Sequence, residues 1–258
     1  MYQEERLVSI INYLKKNSRI SVEEICHLFG VSRDTARRDL VKLEEQKAII
    51  RTRGGAIFPS AHNEIKDYTK RLKTVSKEKR MIGKKAASII NSGDRIILDA
   101  STTVQACAEQ IESEECTIIT NSINQAEALS VKPGVKIHLL GGELHKEHRF
   151  LYGSSVIEKL SHYYVDKVFI GVVGISEHGL TIAHEEDGMV KRKMMERAKR
   201  VIVLADHTKI GVTDFYQFAE IHDIDLCITD KTPSKQFREL LANNNVDLLI
   251  VNELEDME

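Results

Sequence analysis

The sequence predicts an α/β fold preceded by a small, helix-rich module at the amino terminus, and three observations carry that reading. From residue 95 onward, seven short and nearly continuous apolar runs alternate with helical patterns, as expected of a sheet covered on both faces. Between residues 7 and 43, apolar side chains instead recur at helical spacing in three short segments. The chain of 258 residues is long enough for a full α/β core and a second small domain, since ordinary domains run to about 100–150 residues.

Composition narrows the class. Hydrophobic residues make up 42% and charged residues 29%, close to globular averages, and no low-complexity tract interrupts the chain. No apolar run approaches the ~20 residues that a bilayer span requires, and the opening MYQEERLVSI has neither the basic start nor the apolar core of a signal peptide, so a cytosolic protein without membrane contact is expected. Cys26, Cys107, Cys116 and Cys227 are widely spaced and form no CxxC pair, which predicts buried thiols rather than disulfides. The net charge of −2 hides an asymmetry: residues 1–58 hold 11 Lys and Arg against 8 Asp and Glu, a net of +3. The other 200 residues hold 26 against 31, a net of −5. A basic end on an acidic body suits a protein that touches a polyanion at one end.

Leu7, Ile10, Ile11 and Leu14 stand at i, i+3, i+4 and i+7 and predict a first helix that ends near KKNSR. In SVEEICHLFG, Ser21 and Glu24 form an S-x-x-E capping box, Val22, Ile25, Leu28 and Phe29 supply the apolar face, and Gly30 stops the helix. Ser32 then caps a third helix in which Ala36, Leu40 and Leu43 face inward, while Arg33, Thr35, Arg37, Arg38 and Lys42 are spread over the outside. Asp34, Asp39, Glu44 and Glu45 offer these cations ordinary surface partners. What favours DNA over a solvated face is the next segment, AIIRTRGGAIF, which reads as a β-hairpin with Arg51 and Arg53 beside the turn Gly54-Gly55. Two helices joined by a tight turn and followed by such a hairpin describe a winged helix-turn-helix. Its third helix would enter the major groove, and the wing arginines would meet phosphate or the minor groove.

From Phe58 to Ser76 periodicity is lost, Pro59-Ser60 interrupts the chain, and YTKRLKTVSKEKR is dense in cations. This segment reads as a linker whose charges are solvated. Beyond it the strand-like runs are RIILD, CTIIT, VKIHLL, KVFIGV, RVIVLA, LCIT and DLLIV, with helical stretches such as TVQACAEQI and SINQAEALS between them. Ligands of open α/β sheets bind beyond the carboxyl ends of the strands. There the sequence carries DASTT (99–103), TNS (120–122), Gly141-Gly142, GVVG (171–174) and ADHTKIG (205–211). Ser101, Thr102 and Thr103 precede or open a helix and so form a candidate anion site, Lys209 is a candidate cation, and Tyr152-Gly153 opens another helix. Each motif alone is weak, because Ser, Thr, Asn and Gly are common at such ends for structural reasons. Their recurrence at successive strand ends is the stronger evidence.

The segment SVEEICHLFGVSRDTARRDLVKLEEQKAIIRTRGGAI resembles the amino-terminal signature of the DeoR family of bacterial transcriptional regulators, and residues 77–252 resemble that family's sensor domain, whose fold is shared with ribose-5-phosphate isomerase. Members commonly have isoleucine before the paired arginines and histidine before the paired glycines, where this chain has Ala36 and Arg53. The resemblance implies a DNA-binding domain at 1–57, a linker at 58–76 and an α/β effector-binding domain at 77–258. It implies a repressor of a sugar catabolism operon. Ser32, Arg33, Thr35, Arg37, Arg38, Arg51 and Arg53 would meet double-stranded operator DNA. Asp99, Ser101, Thr102, Thr103, Asn121, Gly141, Gly142, Tyr152, Gly153 and Lys209 would line a pocket for a phosphorylated sugar. The family usually has glycine at the position of Ser101, where a side chain narrows the loop. One winged helix reads too few base pairs for selectivity, so a homodimer or homotetramer is expected.

The rival class is a sugar-phosphate isomerase or deaminase with an accessory DNA-binding module. Isomerisation needs a positioned general base, usually a carboxylate. Isomerases of this fold carry an acidic GADE-like segment and a KGGG-like loop, where this chain reads GVVGIS and HEEDGMVKRK, so valine and glycine stand in place of the first carboxylates. Glu185, Glu186 and Asp187 lie close by, but a regulator is the better reading. His145 and His148 have one-turn spacing without an evident third ligand, and HExxH, GxSxG and Walker sequences are absent, so neither metal nor cofactor is expected.

Overall fold

The computed structural model describes residues 3–17, 19–46, 48–52, 54–57, 76–112 and 115–251, and the chain divides into two units, Met1–Ile65 and Lys66–Glu258. In the first unit, α1 (Gln3–Asn17), α2 (Val22–Phe29) and α3 (Arg33–Glu45) pack around Leu7, Ile10, Leu14, Ile25, Leu40 and Leu43. The α2 capping box is complete: Ser21 Oγ accepts the Glu24 N–H at 3.1 Å, and Glu24 Oε2 accepts the Ser21 N–H at 2.7 Å. Gly30 ends the helix in the left-handed region, at φ +63°, where a side chain is disfavoured. One residue of the expected apolar face departs. Leu28 is exposed, because the buried stripe runs Val22, Ile25, Cys26, Phe29 and leaves Leu28 on its flank.

The hairpin is β2 (Ile50–Thr52) and β3 (Gly55–Ile57), and a strand not foreseen, β1 (Arg19–Ser21), completes a three-stranded antiparallel sheet in the order β1-β3-β2. Gly55 therefore belongs to a strand rather than to the turn. A Cβ there would lie 2.1 Å from the Ile20 carbonyl oxygen, so close strand approach is what requires glycine. Arg51 likewise sits in β2, opposite Ala56.

All seven strand-like runs of the second unit pair into one parallel sheet. These are β4 (Arg95–Leu98), β5 (Cys116–Thr120), β6 (Val135–Leu139), β9 (Val165–Gly171), β12 (Ala198–Leu204), β14 (Leu226–Thr229) and β15 (Asp247–Ile250), in the order β15-β14-β12-β9-β4-β5-β6. Strand alternation feeds two cores. Ile97, Ile119, Val168, Ile170 and Val203 face one cluster, while Ile96, Leu98, Ile118, Phe169 and Ile202 face the other. The helices are α4 (Lys77–Ser88), α5 (Thr102–Glu109), α6 (Ile123–Leu129), α7 (Ser154–Ser161), α8 (Glu185–Glu196) and α9 (Lys235–Asn243). Helices α4 and α5 pack backbone to backbone at Gly83, where a Cβ would lie 2.5 Å from the Ala106 carbonyl carbon.

Two smaller features are not foreshadowed by the sequence pattern. The hairpin β7 (Glu143–His145) and β8 (Phe150–Tyr152) follows β6, and β10 (Gly174–Ser176), β11 (Gly179–Ile182) and β13 (Tyr216–Ala219) form an antiparallel sheet. Strands of three or four residues are too short for an alternation to register. All four cysteines are free thiols; burial raises the pKa of Cys107 and Cys116, and that of Cys227 to about 12. No helix among the described residues is long and apolar enough to cross a membrane. Residues 58–75 of the expected linker, and Arg53, lie outside the described residues.

Candidate functional site

In the amino-terminal unit, α3 carries Arg33, Arg37 and Arg38 on its exposed side. Ser32 Oγ caps the helix by accepting the Thr35 N–H at 3.2 Å and shares a further bond of 2.9 Å with Thr35 Oγ1. Arg33 is 67% exposed and pairs with Glu23 of α2 at 2.9 Å. Arg37 and Arg38 are exposed and have no ion-pair partner among the described residues. Asp39, expected as a surface partner for these arginines, is instead fully buried. Its carboxylate accepts from Arg6 Nε at 2.6 Å and from Gln3 Nε2 at 3.1 Å, which ties α1 to α3 and leaves the arginine face unneutralised by it. The same hydrogen bond, outweighing the cost of burial, holds the Arg6 guanidinium above its ordinary pKa. On the wing, Arg51 pairs with Glu44 at 3.2 Å. Exposed pairs of this kind contribute about 0–1 kcal/mol, so a phosphate can displace the carboxylate at little cost.

In the second unit the polar motifs line the carboxyl-end edge of the sheet. Asp99 follows β4 directly. Its buried carboxylate accepts the Ser101 N–H at 2.8 Å and the Gly171 N–H at 2.7 Å, and it pairs with Lys191 of α8. Lys191 Nζ also donates to the Gly171 carbonyl at 3.1 Å and stands 4.0 Å from the Asp187 carboxylate. Asp99 is thus spent on holding the β4, β9 and α8 ends together. Gln125 of α6 reinforces the loop by donating to the Ser101 carbonyl at 3.2 Å.

The three hydroxyls expected to hold a phosphate are less available than the sequence implied. Ser101 Oγ caps α5, accepting the Val104 N–H at 3.2 Å, and Thr102 Oγ1 accepts from Lys79 Nζ of α4 at 3.1 Å; both Thr102 and Thr103 are buried. What this corner offers an anion is the first turn of α5 together with the Lys79 cation. The Ser101 side chain does narrow the loop, for a Cβ on Gly171 would lie 2.1 Å from its Oγ.

Asn121, after β5, donates through Nδ2 to the Leu151 carbonyl at 2.9 Å, and its buried Oδ1 has no partner among the described residues. That acceptor can receive a ligand hydroxyl. Gly141 is exposed with open space around it, whereas a Cβ on Gly142 would lie 2.5 Å from the Tyr152 carbonyl oxygen. Tyr152 is half-buried at the end of β8, and its phenol is held above its ordinary pKa by a hydrogen bond with Glu143 and then by burial. Gly153, at φ +103°, opens α7 without a side-chain cap. Lys209 lies in a short 3-10 turn, His207–Lys209, after β12, and has no ion-pair partner among the described residues. The sheet order puts β12 two strands from β4, so Lys209 belongs to the same edge without touching Asp99.

Sequence reasoning missed Lys191, Gln125 and His184. A signal for Lys191 was present: with Met194 and Met195 it stands at i, i+3, i+4, the core face of α8, and all three are buried. His145 and His148 are not on a helix; one ends β7 and the other lies in the turn after it, and His184 at the start of α8 supplies the third imidazole.

A cationic winged helix-turn-helix joined in one chain to an α/β domain with a polar strand-end rim defines a ligand-responsive DNA-binding regulator. Residues 6–62 match the DeoR-like helix-turn-helix domain and residues 74–231 the DeoR C terminal sensor domain. The HTH-type transcriptional repressor GlcR of Bacillus subtilis (strain 168) is 67% identical over 253 residues, 98% of each chain. The glycerol-3-phosphate regulon repressor of Escherichia coli (strain K12) is 31% identical over 250 residues, covering 96% of this chain and 99% of its own. Among solved structures, ribose 5-phosphate isomerase from Plasmodium falciparum aligns with a TM-score of 0.38 and 17% identity over 52% of each chain. The chain belongs to the DeoR family of transcriptional regulators. It is a regulator and not an enzyme.

Proposed function

We propose that this regulator represses a sugar catabolism operon from the cytoplasm, with residues 1–57 gripping duplex operator DNA and residues 77–258 sensing a phosphorylated sugar across the linker at 58–76. The observation that carries the DNA half is the exposed pair Arg37 and Arg38, unmatched by carboxylates among the described residues, on a helix that Ser32 caps and the Arg6–Asp39 pair fixes in place. Arg33, Thr35 and Arg51 lie beside the pair in the described structure, and Arg53 is added from its place in the wing sequence. Arginine suits both bidentate guanine readout and phosphate clamping. The likeness to GlcR, itself a repressor, supports repression.

For the sensor half, the first turn of α5, Lys79, Lys209 and the Asn121 Oδ1 acceptor provide cation and amide donors for a phosphate and an acceptor for a sugar hydroxyl. Effector binding must favour one arrangement of the DNA-binding modules of a homodimer or homotetramer, because a ligand shifts an equilibrium only through differential affinity. The test is a gel-shift titration of the upstream region of its own operon against a panel of sugar phosphates, with Thr102→Val and Lys209→Met variants beside the parent. The variants are expected to hold DNA as the parent does and to lose the effector response. An unchanged response in both would move the pocket elsewhere.

A further inference from the structure

We infer that His145, His148 and His184 form a binding site for a divalent late first-row transition-metal ion, with Zn2+ as the best match. Each offers one ring nitrogen, and these three atoms lie within 4.8 Å of one another. The arrangement is built by the chain's local geometry. Arg149 adopts φ +56° and donates its N–H to the His145 carbonyl at 2.7 Å, closing the turn after β7. This folds the His148 ring over that of His145, with centroids 4.7 Å apart and planes 26° from parallel. His184 arrives from the other side as the residue that precedes α8, and its side chain makes no capping bond to that helix. Its ring stands 5.3 Å from His145 and 5.1 Å from His148.

A neutral imidazole ring nitrogen presents the lone pair that a metal ion binds. An all-nitrogen donor set selects against Mg2+ and Ca2+, which take oxygen ligands, and in favour of Zn2+ and its neighbours. Three histidines leave a fourth tetrahedral position for water. At Zn–N distances of about 2.0–2.1 Å the nitrogens would stand about 3.3 Å apart, inside the 4.8 Å that bounds their present spacing. His148 is buried, whereas His145 and His184 are half-buried, and His145 Nδ1 accepts the His148 backbone N–H at 3.4 Å. Phe150 backs the cluster, stacked on His145 at 5.1 Å, and dries one side of it. A bound ion would clip the β7–β8 hairpin to the start of α8. The site adjoins Tyr152 and shares no residue with the proposed sugar-phosphate pocket, so it stands independently of that reading.

The test uses the full chain without a polyhistidine tag, stripped with chelator and titrated with Co2+ by visible absorption, then with Zn2+ in competition and by thermal unfolding. One Co2+ per chain with the intense bands of a tetrahedral centre, displaced by Zn2+, and a melting temperature that rises with Zn2+ are expected. His145→Ala and His184→Ala should each weaken binding at least about tenfold, while His222→Ala, on an exposed 3-10 turn, leaves it unchanged. Far-UV circular dichroism verifies folding, and His184→Asn serves where the alanine variant is unstable. Absence of stoichiometric binding, or binding of equal strength in the His145 and His184 variants, would overturn the site.

Discussion

Asp99 and Lys191 form an ion pair sealed from solvent, their side chains 1% and 2% exposed, at the point where the ends of β4 and β9 meet α8. Two backbone N–H groups and one carbonyl also bond to the pair, so it fixes the loop that carries Ser101. Burying two charges is costly, and such a pair contributes more to geometry than to stability.

Lys191→Met leaves the Asp99 carboxylate buried without its cation. Urea unfolding should show a loss of about 3–5 kcal/mol, and the double variant Asp99→Asn/Lys191→Met should recover a large part of it. A single-variant loss below about 1 kcal/mol would mean that water or another cation replaces Lys191.

Gly171 and Ser101 are complementary in shape. Gly171→Ala drives a Cβ to within 2.1 Å of Ser101 Oγ and 2.4 Å of its Cβ, and overpacking of this kind typically costs about 1–3 kcal/mol. Ser101→Gly alone gives up the α5 cap for only a few tenths of a kcal/mol. The double variant should therefore be more stable than Gly171→Ala, a positive coupling that denaturant melts measure directly. Additive costs would show that the two positions are independent.

Arg37→Ala/Arg38→Ala should abolish specific operator binding in fluorescence anisotropy and flatten the salt dependence of what remains, by about one unit of slope for each phosphate that the two arginines no longer neutralise. Both side chains are exposed and, among the described residues, free of ion-pair partners, so stability should move by no more than about 0.5 kcal/mol. Specific binding retained by this variant would place the recognition surface elsewhere.

Asp166 accepts the Arg95 N–H at 3.0 Å and pairs with Lys199 at 3.0 Å, which lowers its pKa from 3.8 to about 2. Its folded pKa is depressed, so its contribution is complete above the unfolded value near 3.8 and is lost as the pH falls through about 2. Asp166→Asn should be less stable than the parent by about 1–2 kcal/mol at neutral pH, and the difference should close below pH 3. A constant difference across that range would assign the effect to something other than charge.

The sheet was legible because its inner strands are buried on both faces and so announce themselves as apolar runs, and the partly exposed edge strands β6 and β15 keep enough apolar residues to read the same way; Ile96 and Ile97 serve opposite cores yet read alike in sequence. The helices of the amino-terminal unit were legible through their caps, Ser21 and Ser32, and through Gly30. The three-residue strands were not, since β1 forms only because β3 is there to pair with it. Strand-end polar residues could be collected on one edge by topology alone. Their partners could not, because the Asp99–Lys191 pair spans 92 positions and the third histidine stands far from the other two. Asp39 illustrates the converse: its charge pattern suggested a surface pair, and only the packing of α1 against α3 revealed its burial.

Because every strand of the large sheet points the same way, the segments that follow its strands all emerge on one side, where open α/β sheets take their ligands. Exchanging a few side chains in those overhanging loops can retune which metabolite is detected without disturbing the scaffold beneath. A single architecture can in this way carry sites for different ligands.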